Sequence, residues 1–118
     1  EYGVAEIALA DTIGVAVPAD VKRRFEAVSK VSGDIPLRAH FHNTRNTGYA
    51  NALAAVEAGV FILDASLAGI GGCPFAPKAT GNIPTEDLLY LLHRLLHHAI
   101  GVKKSSDNKN RDQADYDF

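Results

Sequence analysis

The chain has 118 residues, of which 47% are hydrophobic and 22% are charged, and its formal net charge is -2. This near-neutral balance gives no sign of the strongly basic composition typical of proteins that bind nucleic acid or anionic membranes. No apolar run approaches the ~20 residues needed to cross a bilayer and no signal peptide opens the chain, so we expect a cytoplasmic protein. The single cysteine, Cys73, excludes an internal disulfide framework.

The first predicted unit is a strand followed by a helix. Val4 to Leu9 is a short apolar run of the kind found in buried strands, and a turn-like run, DTIG, follows it at residues 11–14. Pro18 suits the first turn of a helix, which we expect to run to about Val31. Apolar residues recur along this helix at spacings of three and four, so it has one apolar face.

Two further strands and a helix are predicted next. The second strand runs from Leu37 to His42, and Asn46 or Thr47 would cap an alanine-rich helix that ends at about Ala58. A glycine then ends the helix, and residues 60–64 form a third apolar strand.

The last predicted helix follows a long glycine-rich loop. The loop spans residues 66–83, and the helix starts with the run PTED at residue 84 and continues to about Ile100. The tail that follows has almost no apolar residues. We therefore predict a folded part at residues 1–101 and a polar, disordered or loosely attached tail at residues 102–118.

The alternation of strands and helices predicts an α/β fold with parallel strands and right-handed crossovers. Along each strand, every second residue is apolar, and the residues between them are small or polar. The apolar set contains Ile7, Leu9, Leu37, Ala39, Phe41, Phe61 and Leu63. The small or polar set contains Glu6, Ala8, Ala10, Arg38, His40, His42, Asp64 and Ser66.

This division favours a TIM (β/α)8 barrel, in which the apolar set meets the helices and the polar set lines the interior. A flavodoxin-like sheet would be apolar on both faces. Because about eight units are needed to close a barrel, three units predict a partial TIM barrel made of its C-terminal βα units.

His40 and His42 lie on the same face of the second predicted strand. Alternate strand residues are roughly 7 Å apart, so two converging imidazole nitrogens could bind the same metal ion, each at about 2.0 to 2.2 Å from it. The alternative is that both are hydrogen-bonded core residues. The pair by itself is a weak signal of a metal site.

Five motifs together resemble the C-terminal part of the hydroxymethylglutaryl-CoA lyase family, within the metal-dependent barrel superfamily of Claisen-type lyases and synthases. The motifs are ADTIG, HFHNT, LDASLAGIGGCP, ATGN and TEDLLYLL, and the resemblance covers about Ala5 to Leu96. It implies a carbon–carbon lyase that cleaves a 3-hydroxy-3-methyl acyl-CoA to acetyl-CoA and a keto acid. It also implies a divalent metal ion, Mg²⁺ or Mn²⁺, with Zn²⁺ also compatible with imidazole ligands.

The resemblance implies a role for particular residues. His40, His42 and Asn82 would be the metal ligands, and Cys73, Asp11 and His40 would act in catalysis. The family's remaining ligand, an aspartate on the first barrel strand, and the catalytic arginine before it have no counterpart in this chain. After His42 the run NTRN stands where the better-known lyases have an acidic residue and a tyrosine.

The residues alone leave alternatives open. Cys73 could be a small side chain buried in a turn, Asn82 a turn residue or cap, and Asp11 a cap of the loop before Pro18. A histidine cluster in the last helix is more typical of a solvated helix face than of a metal site; it comprises His93, His97 and His98.

Two further functions are considered beside the lyase. One is a synthase related to isopropylmalate synthase, against which the cysteine of the loop argues. The other is a non-catalytic half-barrel that needs a partner chain. For any of these, three strands leave unpaired edges, so we expect a homodimer or association with a missing N-terminal half-barrel.

Overall fold

The computed structural model describes residues 3–73, 76 and 78–99. The strands and α-helices in chain order are β1 Ile7–Asp11, α1 Pro18–Ser32, β2 Leu37–Phe41, α2 Gly48–Glu57, β3 Ile62–Asp64 and α3 Thr85–Ala99, and a short 3-10 helix, Leu67–Gly69, lies between β3 and α3. The predicted order of strands and helices is confirmed, with element ends shifted by at most three residues. The predicted end of the last helix at Ile100, the domain boundary at 101 and the polar tail all lie outside the described residues.

The three strands form one parallel sheet in the order β1-β2-β3. The register places Ala10, His40 and Asp64 side by side across the sheet, one row above Ala8, Arg38 and Ile62. Because side chains alternate along a strand, both rows lie on one face of the sheet. The predicted α/β class with parallel strands is confirmed.

Helices α1 and α2 cover the opposite, apolar face of the sheet. Leu9, Leu37 and Leu63 pack against this core from the strands. The buried cluster consists of Val21, Phe25, Ala39, Phe41, Ala52, Ala54, Ala55, Val60, Ile83 and Leu88. Alanines on α2 let this helix approach the sheet closely. The core therefore lies on one side of the sheet, and Ala8 and Ala10 on the other side are exposed.

The prediction that Phe61 meets the helices is wrong, because its side chain is 82% exposed. β3 begins only at Ile62, so Phe61 precedes the paired segment and is not held by the alternation of the strand. Leu63, two residues later, does pack against the core.

Helix α1 begins at Pro18, as predicted, and the backbone N–H of Val17 donates to the carboxylate of Asp20. Thr47 occupies the N-cap position of α2, but its hydroxyl makes no capping bond there. It donates instead to the carbonyl of Ala16, at 2.9 Å. Over the described part of the chain, none of the helices has the length and apolar character required to traverse a bilayer.

Candidate metal centre

The segments that carry the three predicted metal ligands come together at the carboxyl end of β2. His40 lies in β2, and His42 is the first residue after the end of this strand. Their ring centroids are 5.2 Å apart. Asn82 faces His42 across an isolated antiparallel bridge. The backbone N–H of Ile83 donates to the carbonyl of Phe41, which joins the end of the long loop to the end of the strand. This segment covers His42, which is only 4% exposed.

Hydrogen bonds orient both imidazoles. Nδ1 of His42 lies 2.8 Å from the carbonyl oxygen of Thr80, and because a carbonyl only accepts, this nitrogen carries the proton. Nδ1 of His40 lies 3.3 Å from Oδ2 of Asp64, which also favours a proton on Nδ1. In each ring Nε2 is then left with a free lone pair. Metal-binding histidines typically show this arrangement, in which a carbonyl or carboxylate fixes the tautomer.

The side chain of Asn82 is fixed in the same way. Its amide nitrogen donates to the carbonyls of Ile70 and Gly71, each at 3.1 Å, so its oxygen must point away from them. That oxygen, Oδ1, is buried and accepts no hydrogen bond. A buried acceptor without a partner costs about 1 to 3 kcal/mol, and a cation would satisfy it.

The residues therefore fit a divalent cation. Two imidazole nitrogens and one amide oxygen form a mixed donor set of the kind used by Mn²⁺, Zn²⁺ or Mg²⁺. Within residues 3–73, 76 and 78–99, no group of three histidine, cysteine, aspartate or glutamate side chains is placed to hold an ion. The third donor at this centre is an amide, which such a group would not include.

A close approach between two glycines sets the position of Asn82. A Cβ atom at Gly81 would collide with the carbonyl oxygen of Gly69, and one at Gly69 would lie 2.7 Å from the carbonyl oxygen of Asn82. Gly69 also has a positive φ of 70°. The two ends of the glycine-rich loop can pack together only because neither residue has a side chain.

Cys73 lies on this loop, two residues after a carbonyl that binds the Asn82 amide. Its free thiol is half-buried, and its carbonyl accepts from the N–H of Ala76 at 3.0 Å. Residues 74, 75 and 77 are outside the described part of the chain. The loop that bears the predicted catalytic thiol is therefore tied at its base to a predicted metal ligand.

Asp11 caps the loop before Pro18, which is one of the two roles considered for it from the sequence. Its Oδ1 accepts from the N–H of Val15 at 3.2 Å and its Oδ2 from the N–H of Ala16 at 3.0 Å. The carbonyl of Ala16 in turn accepts from Thr47 and from the amide of Asn51. Asp11 thus organises the loop between β1 and α1, and its catalytic role stays a prediction.

A charged cluster that the sequence reasoning did not assign to the site lies beside His40. Nε of Arg38 is 2.5 Å from Glu6 and its Nη1 is 2.6 Å from Oδ1 of Asp64. The hydrogen bond from the guanidinium to Glu6, and to a smaller extent the one to Asp64, raises the pKa of Arg38 above its usual value. The alternation in the sequence predicts that these residues share a face with His40. Only the register of the strands shows that they are in contact.

Two of the three histidines in α3 have described side chains, and both match the prediction of a solvated helix face. His93 and His97 are exposed, and their Nε2 atoms are 2.9 Å apart. The side chain of His98 is outside the described residues.

A family model described as HMGL-like matches residues 1–110. The chain is 52% identical over 95 residues to (R)-citramalyl-CoA lyase of Chloroflexus aurantiacus. This alignment covers 80% of this chain and 30% of that protein. It is 47% identical over 95 residues to hydroxymethylglutaryl-CoA lyase of Pseudomonas mevalonii, covering 80% of this chain and 32% of the relative. The chain thus spans about a third of the length of these curated relatives.

Solved structures agree with these sequence matches. An HMG-CoA lyase from Acinetobacter baumannii, in complex with coenzyme A and 3-methylmalate, superposes with a TM-score of 0.75 at 37% identity and covers 98% of this chain and 44% of that one. The HMG-CoA lyase from Brucella melitensis gives a TM-score of 0.72 at 38% identity, with 79% and 33% covered. These neighbours are TIM-barrel enzymes, so the prediction of a partial TIM barrel is confirmed.

Proposed function

The chain belongs to the HMGL-like family, and we propose that it forms the C-terminal part of the active site of a metal-dependent carbon–carbon lyase. Enzymes of this family generally depend on a divalent metal. Two observations support the proposal: Oδ1 of Asn82, a residue bridged to His42 through the backbone, is buried without a partner, and the Nδ1 atoms of both imidazoles are already engaged. The proposed substrate is a 3-hydroxy-3-methyl acyl-CoA, cleaved to acetyl-CoA and a keto acid.

His40, His42 and Asn82 would hold the ion, which we propose is Mg²⁺ or Mn²⁺, with Zn²⁺ as the other ion that imidazoles accept. A bound divalent ion supplies a Lewis acid for the oxygens of the substrate. The chain contributes the orientation of the donors: a carbonyl and a carboxylate fix the two imidazoles, and two carbonyls fix the amide of Asn82.

Cleavage of the carbon–carbon bond requires two proton transfers. A base removes the proton of the tertiary hydroxyl, and an acid protonates the carbon of the leaving thioester enolate. We assign the acid to the thiol of Cys73, which lies on the loop joined to Asn82. Asp11 is the proposed partner of the hydroxyl, because each of its two oxygens accepts one backbone N–H and a carboxylate has about four acceptor sites in all.

The acyl-CoA would be bound jointly with chain segments that this sequence does not contain. The coenzyme A complex of the Acinetobacter baumannii relative supports a CoA thioester as substrate. This chain matches less than half of that structure. We propose that an N-terminal half-barrel, or a second copy of this chain, completes the site.

The experiment joins this chain to the N-terminal part of the Chloroflexus aurantiacus relative and measures acetyl-CoA release from hydroxymethylglutaryl-CoA and from citramalyl-CoA. We expect turnover by the hybrid and none by the chain alone. Cys73→Ala in the hybrid should lower the rate by about 10² to 10⁴, the usual range for losing a general acid. A folded hybrid that cleaves neither thioester would contradict the proposed reaction.

The two alternative functions give different results in the same assay. A synthase related to isopropylmalate synthase would consume acetyl-CoA together with a keto acid and would not need Cys73. A non-catalytic half-barrel would assemble with the N-terminal part without turnover. The similarity to two kinds of lyase and the thiol on the loop favour the lyase.

A further inference from the structure

A chain of charged contacts crosses the polar face of the sheet and ends at His40. Glu6 binds Nε of Arg38, Nη1 of Arg38 binds Oδ1 of Asp64, and Oδ2 of Asp64 lies 3.3 Å from Nδ1 of His40. All four side chains are about one third exposed, with values of 31 to 35%. The contacts join the residue that precedes β1 to residues of β2 and β3, so the cluster crosses the whole width of the sheet.

The two oxygens of Asp64 have separate partners. Arg38 is always a donor, so Oδ1 is committed to the guanidinium, and only Oδ2 is directed at His40. The distance of 2.6 Å to Arg38 is shorter than the 3.3 Å to His40. The guanidinium contact therefore determines where the carboxylate lies, and the carboxylate then acts on the imidazole.

Arg38 is itself held on both sides. Nε and Nη2 both contact Glu6, so the guanidinium is paired through two of its nitrogens before it reaches Asp64. A paired, planar guanidinium has little freedom to rotate. The position of Asp64 is thus set by a group that is fixed from the far side of β2.

We propose that Asp64 is a positioning residue that holds His40 in the Nδ1–H tautomer, and that Arg38, anchored by Glu6, keeps the carboxylate aligned for this task. The inference rests on the proposed metal site in one respect: the free Nε2 that results is the atom His40 would offer to the ion. The tautomer itself is a property of the metal-free chain and can be measured without any ion.

Asp64→Asn tests the proposal with almost no change of shape. Because Arg38 only donates, it should keep the remaining oxygen of the new amide, which leaves the NH₂ group facing Nδ1 of His40. Two N–H donors cannot face each other, so His40 should change to the Nε2–H tautomer. Ring ¹H–¹⁵N spectra at a pH where imidazoles are neutral distinguish the two tautomers. His42, whose Nδ1 faces Thr80, is the control in the same spectrum and should not change.

The double variant Arg38→Met, Asp64→Asn tests the role of the guanidinium. Methionine keeps an unbranched stem but has no donor, so the new amide at position 64 is free to rotate and His40 should show a mixture of tautomers. Binding of Mn²⁺ by calorimetry gives a second readout. Asp64→Asn should weaken it by about 10- to 100-fold, the usual effect of losing such a partner.

The outcomes separate this inference from the proposed function. If the unchanged chain binds no Mn²⁺, the metal site fails, and the tautomer of His40 still decides the role of Asp64. If the chain binds Mn²⁺ and Asp64→Asn alters neither the tautomer nor the affinity, the positioning role is overturned and the metal site stands. A change at His42 equal to that at His40 would indicate general disturbance and would also overturn the proposal.

Discussion

His42 and Asn82 face each other across an antiparallel bridge that lies outside the parallel sheet. The bridge brings the end of the glycine-rich loop back to the end of β2, so a strand histidine and a loop amide are held at a separation set by the backbone. The bridge places the backbones of two of the proposed ligands side by side, and the hydrogen bonds of their side chains then set the orientation of the donor atoms.

Removing a strand histidine should abolish metal binding at this centre. The chain is expected to bind Mn²⁺ or Zn²⁺ weakly, because two imidazoles and one amide lack a carboxylate ligand. His40→Ala should reduce the affinity measured by calorimetry to the level of non-specific binding.

His93→Ala is the matched control for that experiment. His93 is an exposed histidine whose Nε2 approaches that of His97, so this pair could bind Zn²⁺ independently of the strand histidines. If His93→Ala lowers the affinity and His40→Ala does not, the ion binds on α3 and the strand histidines are not ligands.

Gly81→Ala should damage the centre without touching a ligand. The new methyl group would collide with the carbonyl of Gly69, so the loop must shift and carry Asn82 with it. We expect a loss of about 1 to 3 kcal/mol in the free energy of unfolding, as for overpacked cores, and a lower affinity for Mn²⁺.

Gly72→Ala provides the comparison, since a Cβ atom there meets nothing within 4 Å. Its unfolding free energy should change by less than about 0.5 kcal/mol. Equal effects of the two substitutions would show that the contact between Gly69 and Gly81 does not position Asn82.

Alkaline pH should weaken the contact between α2 and α3. Burial first, and then the hydrogen bond to Asp87, raise the pKa of Tyr49 to about 12. An unfolded tyrosine ionises near ~10, so the contribution of Tyr49 is present below that pH and is lost as the pH rises from about 10 to 12. In chemical denaturation, Tyr49→Phe should lose less stability over this interval than the unchanged chain does. Tyr90→Phe, on the exposed side of α3, should behave like the unchanged chain.

The chain alone should associate at micromolar concentration. β1 and β3 each have an unpaired edge in the described sheet, and Phe61 beside β3 is 82% exposed. Phe61→Lys should shift sedimentation velocity profiles toward the monomer. Val31→Lys, at a position that is 84% exposed on α1, should leave them unchanged. A well-folded monomer of the unchanged chain would contradict the expectation of a dimer.

The order of the elements was predictable because its signals are local. Pro18 begins α1, the glycines after the helices mark their ends, and the alternation within Leu37–Phe41 separates the buried residues from the polar ones. Phe61 was predicted wrongly because the alternation was continued one residue beyond the segment that β2 actually pairs with.

The site was predictable in its residues but not in its contacts. The resemblance indicated His40, His42 and Asn82, yet nothing local in the sequence shows that the loop returns to β2. The contact between His40 and Asp64 depends on the register of two strands, and a pattern of alternation cannot supply a register. The same limit explains why Arg38 was assigned to the right face but to no partner.

The backbone of Ala16 has a consequence for how this part of the barrel is inherited. Its N–H binds Asp11 at the end of β1, and its carbonyl binds Thr47 and Asn51 at the start of α2. A recombination crossover before β1 would transfer these loops as a matched set. A crossover between α1 and α2 would combine the loop of one parent with Thr47 and Asn51 of another, so the fully buried amide of Asn51 would keep its partner only where the two parental loops have the same conformation. A boundary that precedes β1 avoids this mismatch, because both loops then come from the same parent.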